Sequence, residues 1–175
     1  KKDFGFGYPF INLMDVFGKN SITDSEFDLV NANARELNDY KIVKGDTLFI
    51  RSSVKRTGVG ETSVLLKDYN NLVFSGFLIR FRDCKDEINL CYKKYCFSTK
   101  SIRKQILRLA TSSANTNINQ ESLSKIKIYL PSASEQQKIA SFLGAVDEKS
   151  QQLTKKKELL KEYKKGVMQK IFSQE

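Results

Sequence analysis

The sequence predicts an α+β fold, a mixed-sheet domain followed by one long C-terminal helix, and three observations carry that prediction. Ile139, Val146, Leu153, Leu160 and Val167 recur at intervals of seven beyond Pro131, the period that keeps one apolar seam of a helix facing a partner helix. Ahead of Pro131, short runs rich in β-branched and aromatic residues are punctuated by Gly, Asn and Asp turns and alternate with brief amphipathic segments. At 175 residues the chain is long enough for one domain with a core plus an appendage.

Taken from the start, Phe4-Gly5-Phe6-Gly7 marks a glycine turn, with a short strand expected over 10–13. Methyl-donor sites in some methyltransferases use such glycines. That chemistry also requires a following βαβ unit and an Asn/Asp-Pro-Pro-aromatic stretch, and only Tyr8-Pro9-Phe10 follows here, so the reading is set aside. A brief helix is expected around 32–38, then the turn Lys44-Gly45-Asp46 and a buried strand, Thr47-Leu48-Phe49-Ile50. That strand leads into a polar loop over 51–60. Segments 63–66 and 72–74 suggest a hairpin across Asn70-Asn71. A strand over 77–82 alternates Phe77, Ile79 and Phe81, expected in the core, with Arg80 and Arg82 on the other face. Helices are expected over 87–95 and 98–109, the second placing Ile102, Ile106 and Leu109 on one side. A second polar loop over 111–117 follows, then a short helix near 121–124 and a strand over 126–130.

The long helix has its start marked twice. Pro131 ends what precedes it, and either Ser132 with Glu135 or Ser134 with Gln137 supplies a capping box. Up to Ile171 only Gly144 and Gly166 interrupt good helix formers, at about 1 kcal/mol each relative to Ala. The resulting rod is roughly 55 Å long, more than a domain of this size requires, so it is expected to stand out as a spacer. Leu143 and Ile171 close the ends of the companion seam, with Ser150, Lys157 and Lys164 between them. Polar residues there make pairing weaker and more selective. The alternative is an amphipathic helix lying on its own domain, and Lys155-Lys156-Lys157 and Lys164-Lys165 read as a solvated face.

Composition narrows the partners. Thirty Lys and Arg against 20 Asp and Glu leave a net charge of +10 and a pI of about 9.5, which favours a polyanion or an anionic membrane surface. No apolar run is long enough to span a bilayer and no signal peptide is visible, so the cytoplasm is the expected location. Cys84, Cys91 and Cys96 form no regular framework, and without any His there is no Cys/His zinc pattern to complete. Reduced, partly buried thiols are expected, and no metal or cofactor in this chain.

Two stretches have the side chains that contact phosphates and base edges. The first is Arg51, Ser52, Ser53, Lys55, Arg56 and Thr57, with Gly58 and Gly60 following; the second is Ser112, Ser113, Asn115, Thr116 and Asn117. Taken alone, the first reads equally well as a surface loop that happens to be basic.

The order of features resembles one half of the specificity (S) subunit of a type I restriction-modification enzyme. The residues carrying the resemblance are Lys44-Gly45-Asp46-Thr47-Leu48-Phe49, Ser75-Gly76-Phe77-Leu78-Ile79-Arg80, Asn117-Ile118-Asn119 leading to Ile126-Lys127-Ile128-Tyr129-Leu130-Pro131, and Glu135-Gln136-Gln137-Lys138-Ile139-Ala140. The resemblance implies a DNA target-recognition domain over 1–130 and a dimerisation and spacer helix over 131–175. The domain would read one half of a bipartite target in double-stranded DNA. The helix would pair through Ile139, Leu143, Val146, Leu153, Leu160, Val167 and Ile171 with a second copy or a second S half. It would also dock methyltransferase (M) and restriction (R) subunits, to which S-adenosylmethionine, ATP and magnesium would belong. Such domains usually open with a segment containing a Trp, which this chain lacks; the resemblance thus implies residues before Lys1 and either a half-subunit or the second half of a longer one.

Two other classes compete. A stand-alone nuclease without His would need a metal site at Glu162-Tyr163-Lys164, but residues two apart on a helix point in different directions. A coiled-coil adaptor without nucleic acid explains the helix but leaves the basic loop without a role.

Overall fold

The computed structural model describes residues 3–24, 26–112 and 114–172. The chain divides into two compact units, Lys1–Gln137 and Lys138–Glu175. In chain order the elements are β1 (Phe4–Ile11), α1 (Leu13–Val16), β2 (Ser21–Ile22), β3 (Asp28–Val30), α2 (Ala34–Tyr40), β4 (Thr47–Ile50) and β5 (Ser52–Ser53). After a 3-10 turn at Arg56–Gly58 come β6 (Thr62–Leu65), β7 (Val73–Phe74), β8 (Leu78–Phe81), α3 (Lys93–Cys96), α4 (Lys100–Leu109), β9 (Thr111–Ser112), β10 (Thr116–Asn117), α5 (Gln120–Ser124) and α6 (Ala133–Phe172).

The first unit is built on three small sheets with strand orders β3-β1-β7, β2-β6-β4-β8 and β5-β10-β9. Parallel pairs (β1 with β7, β2 with β6) stand beside antiparallel ones, so the fold is α+β with mixed sheets, as expected. The core lies where the first two sheets meet α1: Ile11, Val16, Ile22, Ile42, Leu48, Ile50, Leu65 and Leu72 are buried together. β4 is central to its sheet and buried at every position, which explains its continuous apolar run.

The turn ahead of β4 is fixed by one carboxylate. Buried Asp46 accepts hydrogen bonds from Val43 N at 2.9 Å and from Arg82 Nε and Nη2 at 2.7 and 2.6 Å. Gly45 holds φ +89°, a left-handed conformation that glycine adopts without a Cβ clash. Nearby, Lys93 and Asp83 form a buried ion pair at 3.5 Å. Burial pushes the Asp83 carboxyl up, but the N–H groups of Ile88 and Glu87 and the Lys93 ammonium outweigh it, so it lies below its ordinary value. A depressed folded-state pKa contributes stability above the unfolded value near 4, and that contribution is lost as pH falls through the folded value. The melting temperature is therefore expected to drop below pH ~4, and more steeply in the unmodified chain than in Asp83→Asn; equal slopes in a pH series of melts would contradict this.

Several local expectations fail for identifiable reasons. Of the strand expected over 10–13 only Phe10 and Ile11 form, as the end of β1, which starts at Phe4 and takes in the glycines, and Asn12 caps α1. Both Phe4 and Tyr8 pair with Val30, so Gly5-Phe6-Gly7 forms a bulge. A Cβ on Gly7, at φ +100°, would meet Val30 O at 2.6 Å. The turn at Asn70-Asn71 joins no hairpin, because β6 already pairs with β4 and β2 on its two edges while β7 pairs with β1. Phe77 is not core: it is 62% exposed, while Leu78 and Ile79 are buried. Within 87–95 only 93–95 are helical, as the start of α3. The Asn89 side chain accepts from Cys91 N and Tyr92 N, and Asp83 from Ile88 N, local bonds that compete with a helix. Nor does 126–130 form a strand; the Gln105 amide replaces a neighbouring strand, donating to Lys127 O and accepting from Lys127 N, both at 3.0 Å.

The capping box at the start of α6 is the Ser132 and Glu135 pair, with Ser132 N donating to Glu135 Oε2 at 2.9 Å. Gln136, buried to 3%, donates from Nε2 to Glu87 O and Pro131 O at 3.1 Å and accepts from Asn89 N at 2.8 Å. Its amide thus ties the first turn of the helix to segment 87–89. Gln136→Ala leaves those backbone groups without a partner and is expected to cost about 1–3 kcal/mol in denaturant unfolding, against less than ~0.5 kcal/mol for the exposed neighbour Lys138→Ala.

In the second unit α6 continues through Gly144 and Gly166 to Phe172, 40 residues in all and about 60 Å at 1.5 Å per residue. Among the cysteines, Cys84 and Cys91 are exposed, and Cys96 is buried. Burial pushes the Cys96 thiol up to about 12, which keeps it protonated and inert.

Candidate nucleic-acid interface

The two polar stretches, some sixty residues apart in sequence, meet in one sheet. β10 lies between β5 and β9, with Thr116 opposite Ser53 and Ser112, and Asn117 opposite Ser52 and Thr111. Ile118 N extends the pairing by donating to Arg51 O at 2.9 Å. Neither Ser-Ser nor Thr-Asn carries an apolar strand signal, so sequence reasoning placed both as loops; the pairing is held by backbone bonds and by buried Thr116.

Arg51, Lys55, Arg56 and Thr57, next to β5 in the chain, are exposed, Ser52, Ser53 and Asn117 are half-buried, Ser112 and Asn115 are exposed, and Thr116 is buried. Ser113 lies outside the described residues. The cations differ in their surroundings. The Lys55 carbonyl accepts from Gly58 N at 2.9 Å, but its ammonium has no partner among the described residues, and Val54 beside it is 84% exposed. Arg51 Nη1 donates to Gly76 O, and Arg56 Nη2 donates to Leu107 O, each at 3.4 Å. Asn117 Nδ2 donates to Asn115 O at 3.0 Å, bracing the tip between β9 and β10.

The sequence does not single out Tyr40, Arg80 and Asn119 as site residues, yet they line with Arg51 a cleft of about 540 Å³ whose wall also carries the carboxylates of Asp39 and Glu121. Arg80 donates to Lys41 O and lies over the Phe74 ring, 5.6 Å from its centroid. The signal in the sequence was the outward alternation of Arg80 in its strand. Positive side chains, hydroxyls and amides over a braced backbone are suited to phosphate oxygens and base edges, and no cluster of His, Cys, Asp or Glu among the described residues could hold a metal.

The model of the type I restriction modification DNA specificity domain matches residues 2–162. This chain belongs to that family. It is 28% identical over 176 aligned positions to the putative type I restriction enzyme MjaX specificity subunit of Methanocaldococcus jannaschii, covering 95% of this chain and 39% of that protein. A solved chain from work on complex assembly and conformational transition of the type I R-M system superposes with a TM-score of 0.57 at 21% identity, over 85% of this chain and 33% of that one. The specificity domain described here therefore spans about two fifths of the relative's length and a third of the solved chain's. Proteins of this family are specificity subunits rather than catalysts.

The seam residues of the long helix lie in the second unit. Ile139, Val146, Leu153, Leu160 and Ile171 are 38 to 62% exposed, and Leu143 and Val167 are half-buried. Among the described residues no helix is long and apolar enough to cross a membrane.

Proposed function

We propose that this chain binds double-stranded DNA sequence-specifically within a type I restriction-modification system, reading one half of a bipartite target through the β5-β10-β9 face. The observation that supports this most is the union of the two polar stretches in one sheet. Arg51 and Lys55 supply charge to phosphates or guanine edges, while Asn115 and Asn117 offer amides suited to adenine. The net charge of +10 supports the same partner through counterion release.

The helix supplies the second half of the proposal. Its exposed seam pairs with a second copy of this chain or with another S half, and it docks methyltransferase and restriction subunits. Those subunits hold S-adenosylmethionine, ATP and magnesium and carry out methylation and cleavage, in the cytoplasm. Sequencing of methylated adenines in a host with and without this gene tests the proposal. The reading expects a two-part motif, present only with the gene; an identical methylation pattern in both hosts contradicts it.

A further inference from the structure

The return leg of the loop after β5 is packed against α4. Gly58, Val59 and Gly60 are buried, and a Cβ on Gly60 would come within 2.6 Å of Ile106 Cγ2 and 3.4 Å of Arg103 Nη1. From α4, Arg103 Nη2 donates to Thr57 O at 2.7 Å, a short charge-assisted bond. In the opposite direction Arg56 Nη2 reaches Leu107 O, one of the last-turn carbonyls that have no partner within the helix. A cation at that end also suits the helix dipole. The two arginines thus cross between loop and helix, and α4 runs on into β9, the far strand of the same sheet.

Arg103 is half-buried and its Nη1 is enclosed with no hydrogen-bond partner among the described residues. Burial pushes its pKa down, with Glu61 opposing. A desolvated guanidinium is an expensive way to fill space, and its one strong bond goes to the loop carrying Lys55 and Arg56. We infer that Arg103 is the positioning residue of the recognition loop, setting its base-reading geometry through the Thr57 carbonyl without touching DNA, and that Arg56 is the reciprocal half of that clamp. The inference rests on the DNA-binding reading above.

Salt dependence separates positioning from contact, because removing a phosphate contact lowers the slope of log K against log salt by about one. Binding of the full chain to a labelled duplex of random sequence, over a salt series, is expected to show that loss for Lys55→Ala and an unchanged slope for Arg103→Ala. Selection from a duplex pool with a randomised core is expected to show Arg103→Ala weakening sequence enrichment about tenfold, the scale of one mis-set base contact, with Arg103→Lys restoring part of it. Amide exchange without DNA should accelerate over 55–60 in Arg103→Ala while β4 stays protected, which also reports whether the variant is folded. If Arg103→Ala does not fold, Arg103→Lys carries the same tests: the wild-type slope with weakened enrichment supports the clamp. Wild-type enrichment with unchanged exchange in a folded variant, or a slope reduced by one, overturns it. Failure of the unmodified chain to bind any duplex overturns the DNA reading itself, and this inference with it.

Discussion

Replacing Arg51, Lys55 and Arg56 together with Ala is expected to reduce affinity for the specific duplex about 100-fold or more, since a base-reading arginine alone accounts for roughly 1–3 kcal/mol and a phosphate-contacting lysine adds its share of counterion release. All three are exposed, and Arg51 and Arg56 each make only a long bond of 3.4 Å to a backbone carbonyl, so the fold is expected to survive. Fluorescence anisotropy at low salt, with a melting curve as control, measures the change. Unchanged affinity in a folded triple variant would remove this face from DNA recognition.

The largest effect on assembly is expected from Leu153→Asp with Leu160→Asp. Both side chains are more than half exposed in the chain, so they contribute little to the folded monomer, whereas in a paired helix each would meet the facing seam. A carboxylate there is desolvated without a partner. The unmodified chain is expected to be a two-fold dimer whose fraction rises with concentration, and the double variant a folded monomer with an unchanged melt of its first unit that has lost two-part recognition. Multi-angle light scattering distinguishes the two. A monomer at high concentration for the unmodified chain rules out self-pairing and leaves a second S half as the facing helix.

The long helix and the buried strand β4 were legible because their signals are local and redundant. A seven-residue period, a capping box and an apolar run after a glycine turn each point to one structure. The α+β class followed from the same signals. The partners of short strands were not legible. Nothing in Val73-Phe74 distinguishes pairing with β1 from pairing with β6, because the choice depends on which edges other strands already occupy. At the site, residue types were readable but their bracing was not: Arg56 and Arg103 are equally basic in sequence, and only the fold turns one toward Leu107 and half-buries the other against Thr57. Segment 87–95 was misread for a related reason, since side-chain bonds from Asp83 and Asn89 override helix propensity there.

The central claim is that one chain reads one half of a split DNA target and that paired helices join two halves. Selection of bound duplexes from a randomised pool by the unmodified chain, followed by sequencing, tests it most directly. The account predicts enrichment of two short motifs separated by a gap of constant length and unrestricted sequence. A bound pool with the base composition of the input at every position would contradict it.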